Sequence, residues 1–143
     1  MTFNAFLKNT AIAFVFILAY EWLVHGHLMT NLYVMSSSAF RPVEDMQSLL
    51  AVSIFTQVIT AMVFVILFDK LNAEKTLNGG IAAGTILGLF LAVQCFGSYC
   101  YLPITITIAL GWFAACLIQG AGIGLVLSLC NLQKDSGKKS KKK

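Results

Sequence analysis

Charged residues are scarce in this chain. Only 11% of its 143 residues are Asp, Glu, Lys or Arg, and it holds one arginine, two histidines and two prolines. A soluble domain uses about a quarter charged residues, so this chain cannot coat a water-facing surface of any size. Its cations neither line a groove nor alternate with aromatics, which removes nucleic acid as a partner. The four cysteines make neither a CxxC pair nor a zinc spacing. What is plentiful is hydrocarbon: 58% of the residues are hydrophobic, and the mean hydropathy is +0.81. A bilayer core about 30 Å thick takes about 20 apolar residues per helix. Four crossings with short connections therefore fit, and no soluble domain is left over. The expected fold is an all-α, four-helix transmembrane bundle over 1–133, followed by a disordered lysine-rich tail over 134–143.

The apolar runs place the spans near 10–25, 47–68, 79–96 and 103–130. Lys8 followed by the greasy stretch 11–20 has the order of a signal peptide. The run continues through Glu21, Trp22, Leu23 and Val24 without a small-x-small cleavage site, the softer 36–39 stretch being the nearest alternative, so it reads as a retained first helix. Pro42 and Pro103 each suit a first helical turn, where a missing N–H loses no bond. The second helix is thus expected to start before the membrane does. The fourth span, about 40 Å long at 1.5 Å per residue, should tilt or protrude.

Direction follows from Lys and Arg in short flanking loops, which resist translocation. Lys8, Lys70, Lys75 and the tail lysines Lys134, Lys138, Lys139, Lys141, Lys142 and Lys143 fall on one side, and Arg41 stands alone on the other. Both termini are therefore expected in the cytoplasm, with the tail touching anionic headgroups at about 1 kcal/mol per lysine.

Lipid tails are as apolar as leucine, so helices in a bilayer associate by close backbone approach and interhelical hydrogen bonds. Small residues recur at the required four-residue interval: Gly80, Gly84 and Gly88 on span three, and Cys116, Gly120, Gly124 and Ser128 on span four. Span two adds Ser53, Gln57 and Ala61. These stripes read as tight packing within the bundle or a dimer, with a pore or moving interface as the functional alternative.

Glu21 is the most informative residue, since it lies about 20 Å along a helix from Lys8 and still inside the outer hydrocarbon. A carboxyl there must face the bundle or a water-filled cavity, take a partner, or stay protonated. His25, one turn on, projects from the same face, and His27 follows where the helix should end. Arg41, with a fork suited to a carboxylate, is expected to pair with Glu21 or Glu44. The loop between also carries Leu28, Met29, Leu32, Tyr33, Met35 and Phe40, apolar enough to lie in the interface. Three readings of Glu21, His25, His27, Arg41 and Glu44 stand open. They are a satisfied salt-bridge network pinning the outer loop, a titrating proton or small-ligand site, or a metal site in which His27 or Glu44 completes the Glu21 and His25 pair.

Cys95 and Cys100 both fall near the outer face, where an oxidising compartment would let them form a disulfide across the turn between spans three and four, two buried thiols being the alternative. Four-helix quinone-coupled thiol oxidases place cysteines there too, but they need a second pair in the first outer loop, which this chain lacks. Cys116 and Cys130 read as small packing residues.

The pattern Glu21, Trp22, Leu23, Val24, His25, Gly26, then Leu28, Tyr33, Arg41, Pro42, Glu44 and Met46 resembles an uncharacterised family of small four-span bacterial inner-membrane proteins. Its members carry a Glu and a His-Gly pair closing the first span and an Arg-Pro-x-Glu-x-Met run before the second. The resemblance covers most of the chain and implies the same topology, but no reaction. Where the family carries a Trp before the Arg, this chain has Phe40. The expected function is an accessory or scaffold subunit of a bacterial inner-membrane complex or a homo-oligomer, in contact with membrane lipid and needing no cofactor. The alternative is an oligomeric transporter or channel for protons, a metal ion or a small solute working through Glu21 and His25. A membrane oxidoreductase with quinone or haem is a third class; haem would usually need axial ligands within the bundle, and both histidines sit at one helix end.

Overall fold

The computed structural model describes residues 1–72 and 75–132 in full and the backbone alone over 133–140. Four of its helices are long and apolar enough to cross a membrane, covering Phe3–Leu28, Leu50–Leu71, Leu77–Cys100 and Ile106–Leu132. Among the described residues there is no strand. The chain is an integral membrane protein with an all-α four-span fold.

Helix α1 (Phe3–Leu23) starts well before the expected 10–25 span, because Thr2 caps it by accepting a hydrogen bond from the Ala5 amide at 3.3 Å. Lys8 consequently lies inside the helix, and its Nζ donates to the Cys130 carbonyl at 3.4 Å. At its far end α1 widens into a π turn, Val24–Leu28, closed by the Met29 amide on the Val24 carbonyl at 2.9 Å. Short α2 (Thr30–Met35) and α3 (Val43–Ser48) then fill the loop between the first two spans. Pro42 stands immediately before α3, so the helical path does begin ahead of the second span. A kink at Leu49 leads into α4 (Leu50–Leu71).

Helix α5 (Leu77–Gly97) is capped by Thr76, whose Oγ1 accepts from the Gly79 amide at 3.0 Å. Helix α6 (Ile106–Ser140) starts later than the expected 103, since Thr105 serves as the cap through a 3.4 Å bond from the Ile108 amide. Pro103 therefore precedes the helix instead of occupying its first turn. At the other end α6 runs on beyond 130 as far as Ser140. The side chains of 134–143, expected to be a disordered tail, lie outside the described residues.

Around the bundle, α1 packs on α4 and α6, and α5 packs on α6 and α4. The α5–α6 seam is the tightest contact, and it is built from the two stripes of small residues. Gly80 faces Ser128, Gly84 faces Gly124 and Gly120, and Gly88 faces Gly120 and Cys116. A Cβ on Gly84 would come within 2.8 Å of the Gly124 Cα, and one on Gly88 within 2.8 Å of the Cys116 carbonyl oxygen. Only hydrogen fits there. Two cores result. The inner one, toward the end holding Met1, Asp69 and Cys130, joins Ala13 and Ile17 to Ala61, Phe64, Val65, Phe68, Ala83, Ile123 and Leu127. The outer one joins Val24 and Met29 to Ile104, Ile108, Ala109 and Ala115, with no contribution from α4.

Candidate functional site

Glu21 near the end of α1 and His25 in the π turn that continues it are four residues apart, and the structure pairs them, with His25 Nε2 3.4 Å from Glu21 Oε2. The other carboxylate oxygen accepts from Gln119 Nε2 of α6 at 3.1 Å. Gln119 is buried, at 7% exposure, whereas the Glu21 and His25 side chains are each 37% exposed. The site thus runs from the bundle interior to its outer surface. A hydrogen bond to a carboxylate is worth about 1.5–3 kcal/mol, so the amide alone offsets a good part of the cost of placing Glu21 at this depth.

On its other edge the imidazole meets Tyr33 of α2: His25 Nδ1 hydrogen-bonds the phenol oxygen and the two rings stack. The same oxygen accepts from Trp112 Nε1 at 2.8 Å and stands 3.5 Å from Met29 Sδ. Neutral His25 bearing its proton on Nε2 orders every donor toward the carboxylate. Trp112 donates to Tyr33, Tyr33 to His25, and His25 with Gln119 to Glu21. A protonated His25 would instead donate to Tyr33, whose own proton then turns to the Met29 sulfur. The chain of groups accepts either arrangement without an orphaned donor.

Burial pushes the Tyr33 phenol above its ordinary value; the Trp112 hydrogen bond opposes this, and the Glu21 charge adds to it. Tyr20, one residue before Glu21, ties α1 to α6 separately by donating to the Ala115 carbonyl at 2.9 Å. The π turn begins immediately after this region of α1, and such turns are frequent where a helix must aim side chains at a site.

Three of the expected members stay outside. His27 packs its ring edge-on against Trp22 at 4.2 Å between centroids. Arg41 makes no ion pair with Glu21 or Glu44 among the described residues, and both Arg41 and Glu44 are exposed. The physical reason is the extended backbone at Phe40 and Pro42. Phe40 turns inward to pack on Tyr33 at 5.2 Å and Trp112 at 6.3 Å, and in extended chain the next side chain points the opposite way. Glu44 lies in the first turn of α3, where a negative charge suits the helix dipole. Among the described residues, no three His, Cys, Asp or Glu side chains converge as metal ligands.

Of the two readings of Cys95 and Cys100, the disulfide is not formed: both thiols are free, and Cys95 Sγ lies 3.2 Å from Cys116 Sγ across the α5–α6 seam. Cys95 falls on the seam face of α5, two turns beyond Gly88, while Cys100 is exposed on the connecting turn. Sequence reasoning missed Gln119 and Trp112 as members of the site. The available signal for Gln119 is its amide inside an apolar span, on the face of the small-residue stripe. No family model, curated protein or solved structure matches the chain.

Proposed function

We propose that the chain is a small accessory or scaffold subunit of a bacterial inner-membrane assembly, with its termini on the cytoplasmic side and the outer cluster serving to lock the loop onto the bundle. One observation carries this reading. Between the outer cluster and the inner end, Ala13, Ile17, Ala61, Phe64, Val65, Ile123 and Leu127, none more than 3% exposed, close the middle of the bundle with hydrocarbon. Beside that plug the glycine seam leaves no space between α5 and α6. A monomer so packed offers ions and polar solutes no route, whereas its lipid-facing sides are free for neighbouring subunits. Lysine asymmetry supplies the orientation. Extraction in a mild detergent is expected to yield a complex heavier than the monomer; migration of all the protein as a lone monomer would refute the proposal.

The second reading is a proton-responsive site at Glu21 and His25, favoured by the half-exposed ion pair and its two alternative hydrogen-bond orders. Vesicles reconstituted with the pure protein decide between them. A pH-dependent flux abolished by Glu21→Gln selects this second reading, and no flux in either form removes it.

A further inference from the structure

The α5–α6 seam changes character toward its outer end, where two thiols follow the glycines. Cys95 lies in the last turn of α5 and Cys116 on the small-residue face of α6, and their sulfurs stand 3.2 Å apart. That is about 1.1 Å beyond the roughly 2.05 Å of an S–S bond. The gap is small because the neighbouring glycines hold the backbones together: a Cβ on Gly88 would come within 2.8 Å of the Cys116 carbonyl oxygen. Both cysteines are half-buried rather than sealed in the core, and both are reduced.

Two thiols in contact inside a lipid-facing seam select their oxidant. A charged thiol compound or a protein disulfide does not enter hydrocarbon cheaply, whereas a hydroperoxide is small or lipid-borne and carries no charge. We propose that Cys95 and Cys116 form a hydroperoxide-reactive dithiol that closes to a disulfide stapling α5 to α6. A thiolate sulfur of one cysteine attacks an oxygen of the peroxide, the O–O bond breaks, and a sulfenic acid forms while the leaving hydroxide or alkoxide takes up the thiol's proton. The second thiol then displaces the sulfenic hydroxyl as water, and the S–S bond is made. The two thiols lose two electrons and two protons; hydrogen peroxide becomes two waters, or a lipid hydroperoxide its alcohol and one water. A cysteine without such a neighbour would advance to sulfinic and sulfonic acid, so the partner sulfur is what stops the oxidation at a reversible stage.

The dithiol goes beyond the proposed subunit role and does not rest on it. The full-length protein in lipid nanodiscs is reduced, then exposed to hydrogen peroxide or to a phospholipid hydroperoxide built into the disc. Remaining thiols are alkylated after denaturation and the peptides are mapped. A linked Cys95–Cys116 peptide is expected, with the loss of two hydrogens from the intact mass and recovery of both thiols on treatment with a phosphine. The thermal midpoint should rise on closure and fall back on reduction, as for a cross-link that restricts the unfolded chain. Closure by hydrogen peroxide identifies the aqueous phase as a source of oxidant; closure by the lipid hydroperoxide alone identifies the bilayer. Cys100→Ala, which removes the exposed thiol, should leave the link intact. Cys116→Ala removes the resolving sulfur, so Cys95 is expected to advance to sulfinic or sulfonic acid at a peroxide dose that leaves it disulfide-bonded in the parent. Cys95→Ala treats Cys116 in the same way and serves if the first variant fails to fold. Two thiols still open to alkylation after either oxidant, a link from Cys95 to Cys100 instead, or a lone seam cysteine that stays unoxidised in a folded variant, overturns the proposal.

Discussion

Replacing Gly84 by alanine tests the seam that holds the bundle together. A methyl group on Gly84 would meet the Gly124 Cα at 2.8 Å and the Gly124 nitrogen at 3.0 Å, all of it helix backbone that cannot rotate away. Ordinary contact between carbons is about 3.5–4.0 Å, so α5 and α6 must separate by roughly 1 Å. A gap of that size forfeits a quarter to a half of the dispersion along the seam, and overpacking of this kind costs about 1–3 kcal/mol. Alanine also favours the helix over glycine by about 0.5–1 kcal/mol, which a control must cancel. Gly97 supplies it: the residue is helical, and a Cβ there meets nothing within 4 Å. The two variants are compared by reversible unfolding in detergent. Gly84→Ala is expected to be less stable than Gly97→Ala by at least about 1 kcal/mol, with Gly84→Val worse again. Equal stability of Gly84→Ala and Gly97→Ala would show that the stripes do not carry the association of α5 with α6.

The outer chain of donors gives a signed prediction at Tyr33. Trp112→Phe removes the bond that lowers the phenol's pKa, so near-UV titration should find Tyr33 ionising at still higher pH, and Glu21→Gln should shift it the other way. Because the folded state raises this pKa, Tyr33 contributes stability that is fully present below the ordinary tyrosine value near 10 and lost as pH rises through the folded value; unfolding curves that are flat from neutral pH to beyond that window would contradict it. Gln119→Leu deprives a carboxylate oxygen of its donor and is expected to cost about 1.5–3 kcal/mol, read by the same unfolding assay. Exposed Cys100 should be the thiol that reacts first with a maleimide, while Cys95 and Cys116, facing each other at 3.2 Å, react slowly. Peptide mapping that finds Cys95 labelled fastest would contradict the seam register.

Hydropathy sufficed to place four spans because an apolar run of about 20 residues has few other uses. The glycine stripes were legible for a related reason: in lipid, four-residue spacing of small side chains has few purposes beyond close approach. The Glu21 and His25 pair was legible too, since residues at i and i+4 share a helix face. Partners across helices were not. That Gln119 meets Glu21, and Trp112 meets Tyr33, depends on the rotation of α6 about its axis. Composition does not encode that rotation; the register of the α5–α6 seam sets it. Arg41 illustrates the opposite failure. Its charge complements Glu21, but the packing of Phe40 between Tyr33 and Trp112 decides which way the chain turns. Burial of an aromatic ring outweighed an ion pair that would have been half solvated and worth little.

Gln119, which bonds Glu21, and Ser128, which faces Gly80, lie nine residues apart on α6, about 13 Å at 1.5 Å per residue. Between them α6 presents Gly120, Ile123, Gly124 and Leu127, residues that either press against α5 or fill the inner core. A rigid contact of this kind has no slack through which one end could sense the other. Glu21→Gln and Ser128→Ala should therefore act additively on unfolding free energy, within about 0.5 kcal/mol, as sites without shared partners do. Coupling beyond 1 kcal/mol would mean that α6 shifts as a body against the seam. A bundle able to do that would be a moving part rather than a scaffold, and the proton-responsive reading of Glu21 and His25 would then displace the structural one.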